Sequence, residues 1–302
     1  MKIFLTGGTG FVGSEIVKQL LARDHRIVAL VRPGSENKLA ESDAVKIHLG
    51  DLAEPESLPA GLDGCDAVIH LVGIIRDFPD KGVTFEKVHV EGTRHVLEAA
   101  AAQGIRRFLH MSANGADREG PTAYQKTKWQ AEQAVGKTEL DWTIFRPSLI
   151  FGPGGEFVEM LGEMVRRLPV VPVIGDGQYR LQPVSVDQVA ATYVKALDLP
   201  ETAGRTYHLA GAESYTYDEI LDLTGKALGK DSVHKLHQPV AMVKPIVKAL
   251  ESFEKFPLSE AQMSMLLEGN ECDPGPWAED FKIEPVAFAQ GIGKCFEAEG
   301  DR

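Results

Sequence analysis

Cysteine is scarce in this chain. Cys65, Cys272 and Cys295 are the only ones in 302 residues, an odd number with no CxxC pair. That argues against a disulfide framework or a zinc knuckle and fits a reducing compartment. No run approaches the ~20 apolar residues that a membrane span needs. The start, MKIFLTGGTGFVG, carries one lysine and no small-residue cleavage site after a long apolar region, so it does not read as a signal peptide. A cytoplasmic location is the expectation. Basic charge is in deficit, with 32 Lys and Arg against 44 Asp and Glu and a formal net charge of −12. Phosphate-backbone binding needs a net basic face, so no nucleic-acid partner is expected. The nine histidines form no ligand pattern, and no metal is expected. Even the closest pair, His234 and His237, has no nearby carboxylate pattern and reads as ordinary surface.

What is present is ordinary globular material: 43% hydrophobic and 25% charged residues. At about 150 residues per domain, the length suggests two units. The first half alternates short apolar runs with amphipathic stretches. Strands are expected at Lys2–Thr6, Arg26–Val31, Val45–Leu49, Ala67–Leu71, Arg107–Met111 and Trp142–Pro147. Nearly continuous apolar runs of this length suit buried parallel strands. Helical spacing predicts helices over Ser14–Arg23, Thr84–Gln103 and Tyr124–Val135. This alternation implies an α/β fold, a doubly wound parallel sheet. After the breaker cluster Phe151–Gly155 the texture changes. Helices are expected near Phe157–Leu168, Asp187–Leu199 and Tyr217–Leu228, with a strand at Thr206–Ala210 and two or three helices after Pro239. The expected division is a nucleotide-binding domain over 1–150, taking back segments near 185–210. A smaller, mostly helical substrate-binding lobe would occupy 151–302.

The most informative stretch is Thr6-Gly7-Gly8-Thr9-Gly10-Phe11-Val12-Gly13, directly after the first strand. Glycines permit a tight turn and let backbone amides approach a pyrophosphate. The helix that follows offers its free N–H groups and positive dipole end. The strand–turn–helix setting is what a dinucleotide fingerprint requires. At the end of the second strand NAD selectivity would need Asp or Glu. Here Arg32 stands there, with Lys38 following. A guanidinium can pair with a 2′-phosphate, so NADP(H) is the expected cofactor, with NAD the alternative. Asp51, in Gly50-Asp51-Leu52, could accept from an adenine amino group. Gly73, in Leu71-Val72-Gly73, could let backbone pass close to the adenosine ribose.

Chemistry points to Ser112, at the end of the fifth strand, and to Tyr124 and Lys128, spaced i, i+4 on one helix face. A phenol near pKa 10 is a poor acid–base group at neutral pH. A neighbouring ammonium and an oxidised nicotinamide would lower it. Ser112 could hydrogen-bond a carbonyl or carbinol oxygen, Tyr124 could exchange its proton, and Lys128 could hold the nicotinamide ribose.

These residues carry a resemblance. TGGTGFVG at 6–13, GDL at 50–52, Ser112, Tyr124-x-x-x-Lys128, Arg146-Pro147-Ser148-Leu149-Ile150-Phe151-Gly152-Pro153 and Val184–Ala190 together resemble an extended or atypical short-chain dehydrogenase/reductase, the epimerase/dehydratase group. The resemblance covers about two-thirds of the chain and implies a Rossmann-type domain. It also implies that Pro147, Ser148, Leu149 and Ile150 line the nicotinamide. His89 stands where many members carry Asn and is counted with the cofactor-binding residues. Within the group, the tail Leu258–Leu267 through Phe281–Pro285 is similar to the branch of the complex I short-chain-dehydrogenase-like accessory subunit and its bacterial relatives. Two readings follow. One is an oxidoreductase or epimerase acting on a small carbonyl or hydroxyl substrate. The other is a protein that retains NADPH without turnover, with a respiratory-complex partner. The intact Ser–Tyr–Lys set favours the first. A homodimer through helices 84–103 and 122–136 is compatible with either.

Overall fold

The computed structural model describes residues 1–251, 253, 256 and 258–297. The last five residues of the expected second lobe, 298–302, lie outside them. The chain divides into two compact units. The first comprises Met1–Pro147, Asp187–His208 and Gly275–Ile283; the second comprises Ser148–Val186, Leu209–Pro274 and Glu284–Arg302.

Unit one is built on strands β1 (Lys2–Thr6), β2 (Arg26–Val31), β3 (Val45–Leu49), β4 (Ala67–His70), β5 (Arg107–Met111) and β6 (Asp141–Pro147). They lie in the order β3-β2-β1-β4-β5-β6, and the strand Arg205–Leu209 follows β6. The ladders from β3 through to β6 are all parallel. Helices α1 (Phe11–Leu21), α2 (Pro59–Leu62), α3 (Gly92–Ala102) and α4 (Ala123–Gly136) connect them. Register places Val28, Phe4, Val68 and Phe108 side by side across four strands. These pack with Leu62, Val96, Leu97 and Ala100 into one core. Each such side chain contributes about 1.5–3 kcal/mol on burial. Two residues further along the same strands, the pattern turns polar: Thr6, His70 and His110 are register neighbours, all nearly inaccessible.

The segment Thr84–Gln103 departs from a single α-helix. Glu86–Glu91 is a π-helical turn that runs directly into α3. The wider turn shifts the helical phase, and both His89 and Val90 are buried. Gly104 ends the element at φ +72°, a left-handed position that glycine adopts without strain. At the start of α4, Thr122 and Gln125 form a reciprocal capping box, which fixes the register of Tyr124 and Lys128.

Unit two holds helices over Glu156–Arg167, Tyr217–Ala227, Val240–Leu250 and Glu260–Glu268, followed by two one-turn pieces near its end. It also holds three two-stranded pairs: Val184–Ser185 with Ile150–Phe151, Tyr215–Thr216 with Arg180–Leu181, and Lys235–Gln238 with Val171–Ile174. Two of these ladders are only two residues long and carry no readable period; the third, four residues long, was not expected from the sequence either. The core joins Phe151, Leu161, Val173, Tyr217, Leu221 and Phe288. His237 is exposed, as expected, on the strand Lys235–Gln238, with its Nε2 3.0 Å from Asp218. That carboxylate lies on the helix Tyr217–Ala227, 19 positions earlier, too remote in sequence for a local pattern.

Candidate functional site

The turn from β1 into α1 is made by backbone alone. Gly7 sits at φ +77°, and Gly10 caps α1 in an extended conformation with no side-chain cap. Gly10 N donates to Gly7 O at 3.1 Å, and the helical ladder begins with Ser14 N to Gly10 O at 2.9 Å. The amides ahead of Ser14 therefore have no helical carbonyl to bond. No acidic side chain occupies the first turn, so nothing repels an anion there. A Cβ on Gly13 would lie 2.1 Å from Gly7 O, and one on Gly7 would lie 3.2 Å from Leu71 Cβ. The loop is thus drawn onto the segment that follows β4. Thr9, Phe11 and Val12 stay half-buried along it.

Arg32 follows β2 directly and is exposed, as is Lys38 in the turn Glu36–Lys38. The Arg32 guanidinium makes no hydrogen bond or ion pair among the described residues. Asp51 uses one carboxylate oxygen to accept from Ala53 N at 2.9 Å. Leu52 is buried beneath Gly92. Beyond β4, Leu71 is buried and Val72 half-buried. Gly73 is exposed, and a Cβ there would lie 3.3 Å from Lys128 Nζ.

Strand β5 and helix α4 supply the polar centre. Lys128, only 3% exposed, donates from Nζ to Met111 O at 2.8 Å. The ammonium is therefore anchored at the residue next to Ser112. The Ser112 hydroxyl is buried and has no hydrogen-bond partner among the described residues. The Tyr124 ring stands edge-on to His89 and to Phe85. Burial pushes its phenol up to about 12. Loss of hydration is the whole cause of this shift, and the Lys128 ammonium does not counter it. Burial pulls Lys128 down to about 8, opposed by the charge of Glu132. At pH 7 it still carries its proton. Glu132 is itself gripped by Arg146, Nε to Oε1 at 2.8 Å with a second parallel bond beside it. This pair ties α4 to the strand that ends in Pro147.

Behind Lys128 lie three histidines. His70 Nδ1 is 2.7 Å from Thr6 Oγ1, and its Nε2 is 3.1 Å from Thr93 Oγ1. His110 stacks on His70 with ring centroids 5.5 Å apart, and neither of its ring nitrogens has a partner. Burial, then the Lys128 charge, brings His70 down to about 3 and His89 to about 2. Burial, then the neighbouring His70, Lys128 and His89, takes His110 well below the usual range. All three rings are neutral at pH 7.

The expected residues fall into two groups. Gly7 to Gly13, Leu71 to Gly73, His89, Ser112, Tyr124, Lys128 and Pro147 all belong to unit one, with Arg32, Lys38, Asp51 and Leu52 beyond β2 and β3. Ser148, Leu149 and Ile150 belong to unit two. There the Ser148 hydroxyl donates to Gln182 O at 2.5 Å, and Leu149 O accepts from Val184 N. Phe85, Thr127 and Glu132 were given no role from the sequence, and Thr6 and Arg146 were named only as members of motifs. Thr127 and Glu132 share the Tyr124–Lys128 face by helical spacing, the one signal that could have found them.

A glycine turn between β1 and α1 on a parallel β3-β2-β1-β4-β5-β6 sheet defines a Rossmann-type nucleotide-binding protein. The site residues fit such a ligand: a backbone cradle that a Cβ would fill, and a buried hydroxyl left unpartnered. Residues 3–210 match the NAD dependent epimerase/dehydratase family, and the chain belongs to that family. It is 29% identical over 290 residues to the NADH-ubiquinone oxidoreductase 40 kDa subunit of Neurospora crassa, covering 94% of this chain and 75% of that protein. It is 29% identical over 227 residues to a ceramide reductase of Caulobacter vibrioides, covering 75% and 70%. Its fold is similar to a UDP-glucose 4-epimerase of Thermotoga maritima, with a TM-score of 0.79 at 18% identity over 99% of both chains. The chain spans 62% to 78% of the length of eight such curated relatives.

Proposed function

We propose that the protein is an NADP(H)-dependent oxidoreductase acting on a small carbonyl or hydroxyl substrate, in a cytoplasmic setting. The observation that carries this is the junction of α4 and β5. Lys128 is held at Met111 O, flush with a buried Ser112 hydroxyl that no protein group satisfies. An unpartnered buried hydroxyl costs stability, about 1–3 kcal/mol, and a substrate oxygen would relieve it. Gly7 to Gly13 would cradle the pyrophosphate. Arg32 and Lys38 would face a 2′-phosphate, and Lys128 would sit at the nicotinamide ribose; Gly73, expected at the adenosine ribose, is read at the nicotinamide ribose instead, because a Cβ on it would lie 3.3 Å from Lys128 Nζ. A bound nicotinamide supplies the hydride donor or acceptor. Ser112 orients the substrate oxygen, and Tyr124 gives or takes its proton. With its phenol at about 12, Tyr124 is protonated at rest and set to act as the acid. The substrate-binding role falls to unit two, and Pro147 would line the nicotinamide.

The second reading is retention of the nucleotide without turnover, beside a respiratory-complex partner. The likeness to the Neurospora subunit favours it. One experiment separates the two. The purified protein is titrated with NADPH and NADH, then assayed for loss of reduced-nicotinamide absorbance with short carbonyls, quinones and long-chain keto lipids. The expected outcome is tighter NADPH binding and turnover of one class, with Tyr124→Phe lowering kcat by at least about 100-fold. Equal turnover in Tyr124→Phe overturns the catalytic assignment. Tight NADPH with no turnover on any class selects retention.

A further inference from the structure

His89 is placed to do more than fill space. It sits in the π-helical turn Glu86–Glu91, is 1% exposed, and reaches two other segments. Its Nδ1 is 2.9 Å from Thr127 Oγ1, one turn of α4 from Tyr124. Thr127 Oγ1 in turn donates to Ala123 O at 2.8 Å. A hydroxyl that spends its proton there can only accept from the ring, so Nδ1 carries the hydrogen. Nε2 faces both Ile74 N at 3.0 Å and Ile74 O at 3.1 Å, and with the hydrogen on Nδ1 it accepts from the amide. The neutral ring therefore bolts the Leu71–Ile74 segment to α4 by one donor and one acceptor. The same ring meets Tyr124 edge to face, centroids 5.5 Å apart and planes at 83°. A Cβ on Gly73 would lie 3.6 Å from His89 Nε2 and 3.3 Å from Lys128 Nζ. One side chain thus spaces the glycine against the ammonium and fixes the plane of the phenol.

We propose that His89 is a positioning residue for the nicotinamide half of the site: it holds the Gly73 segment at the distance from Lys128 that a ribose needs, and it touches neither ligand nor substrate. This rests on the nucleotide reading above. The imidazole does the work through its donor and acceptor pair, which a carboxamide also offers. An isosteric apolar side chain offers neither.

The test measures calorimetric affinities for NADPH and for 2′,5′-ADP, a fragment that lacks the nicotinamide half. Wild type is compared with His89→Leu and His89→Asn. His89→Leu is expected to weaken NADPH about tenfold and leave the fragment unchanged, and His89→Asn to restore most of the loss. NADPH affinity unaltered in His89→Leu overturns the proposal. So does an equal loss for NADPH and fragment, or no rescue by Asn, since either marks a general packing role. If wild type binds neither NADPH nor NADH, the nucleotide reading itself fails and takes the inference with it. Should His89→Leu fail to fold, His89→Asn and His89→Gln are compared instead. Both keep a donor and an acceptor, but the longer Gln should move the segment and weaken NADPH alone. Equal NADPH affinity in the two overturns the proposal.

Discussion

Two regions meet at the carboxyl ends of the sheet strands, and they are made of different materials. The β1–α1 turn is built from backbone: a left-handed Gly7, an extended Gly10 and a Gly13 whose Cβ has nowhere to go. The β5–α4 region is built from side chains: Lys128, three neutral histidines, Ser112 and a buried Glu132–Arg146 pair. The first is specified by which residues are absent at Cβ, the second by which charges and hydrogen-bond partners are present. Each should therefore break in its own way.

The largest effect belongs to the backbone region. Gly13→Ala puts a methyl 2.1 Å from Gly7 O and 2.7 Å from Gly8 Cα, both main chain. Neither can move without opening the turn. The expected outcome is loss of most of the folding free energy, which for such a domain is about 5–15 kcal/mol, seen as failure to obtain soluble protein. Gly10→Ala is the control: its Cβ would meet only Gly7 O, at 3.4 Å, so normal melting with weakened nucleotide binding is expected. If both variants melt alike, the turn is not the rigid object described here.

Acid reaches only the side-chain region. His70 and His89 are held at about 3 and about 2, and His110 also lies well below the usual 6.5. The unfolded chain takes up these protons first, so stability falls as pH drops below about 6.5 and keeps falling toward the folded-state values. These three rings contribute at most about 4 kcal/mol per pH unit, to which His25, also lowered by burial, adds in the same direction. Urea midpoints measured between pH 7 and pH 5 should drop steeply. A flat profile would show that the rings take up protons in the folded state.

Glu132→Gln comes next. Its carboxylate side chain is 5% exposed and that of Arg146 is 22%. Removing one charge strands the other and costs about 3 kcal/mol. Lys128 loses the one neighbour that supports its charge and should titrate below about 8. Loss of stability with no change in the alkaline limb of nucleotide binding would separate the ion pair from Lys128.

The difference in material also decides what could be read from the sequence. The glycine turn was legible because its defining close approach, Gly13 against Gly7 O and Gly8 Cα, lies within Thr6–Gly13. Strands β1, β2 and β5 were legible to the residue because buried parallel strands are short, nearly continuous apolar runs; β3 matched to the residue although it is an exposed to half-buried edge strand with no such run. The seam at 86–91 was not, since an α-helical period and a π-helical turn look alike over six residues. Nor was the direction of the Tyr124 shift. Helical spacing puts Lys128 beside it, but only packing shows that the phenol loses its hydration. The polar row Thr6–His70–His110 depends on three strands distant in sequence coming into register.

That row allows the smallest and finest test. His110 is 1% exposed with both ring nitrogens unpartnered, so in the neutral form it pays for burial and gains no hydrogen bond. Phenylalanine has nearly the same outline and no polar atoms, and it can keep the stacking on His70. Exchanging a buried unsatisfied group for an apolar one of the same shape is neutral or stabilising, here by about 1 kcal/mol. His110→Phe should therefore melt at or slightly above wild type at pH 7. Its acid slope should be shallower by one proton, about 1.4 kcal/mol per pH unit at most. Destabilisation at pH 7 with an unchanged slope would mean that the ring nitrogens are satisfied after all and that the histidine row is a hydrogen-bonded structure along its whole length. A stable variant with the shallower slope would instead confine the hydrogen bonding to His70 and His89, the two rings tied to threonines.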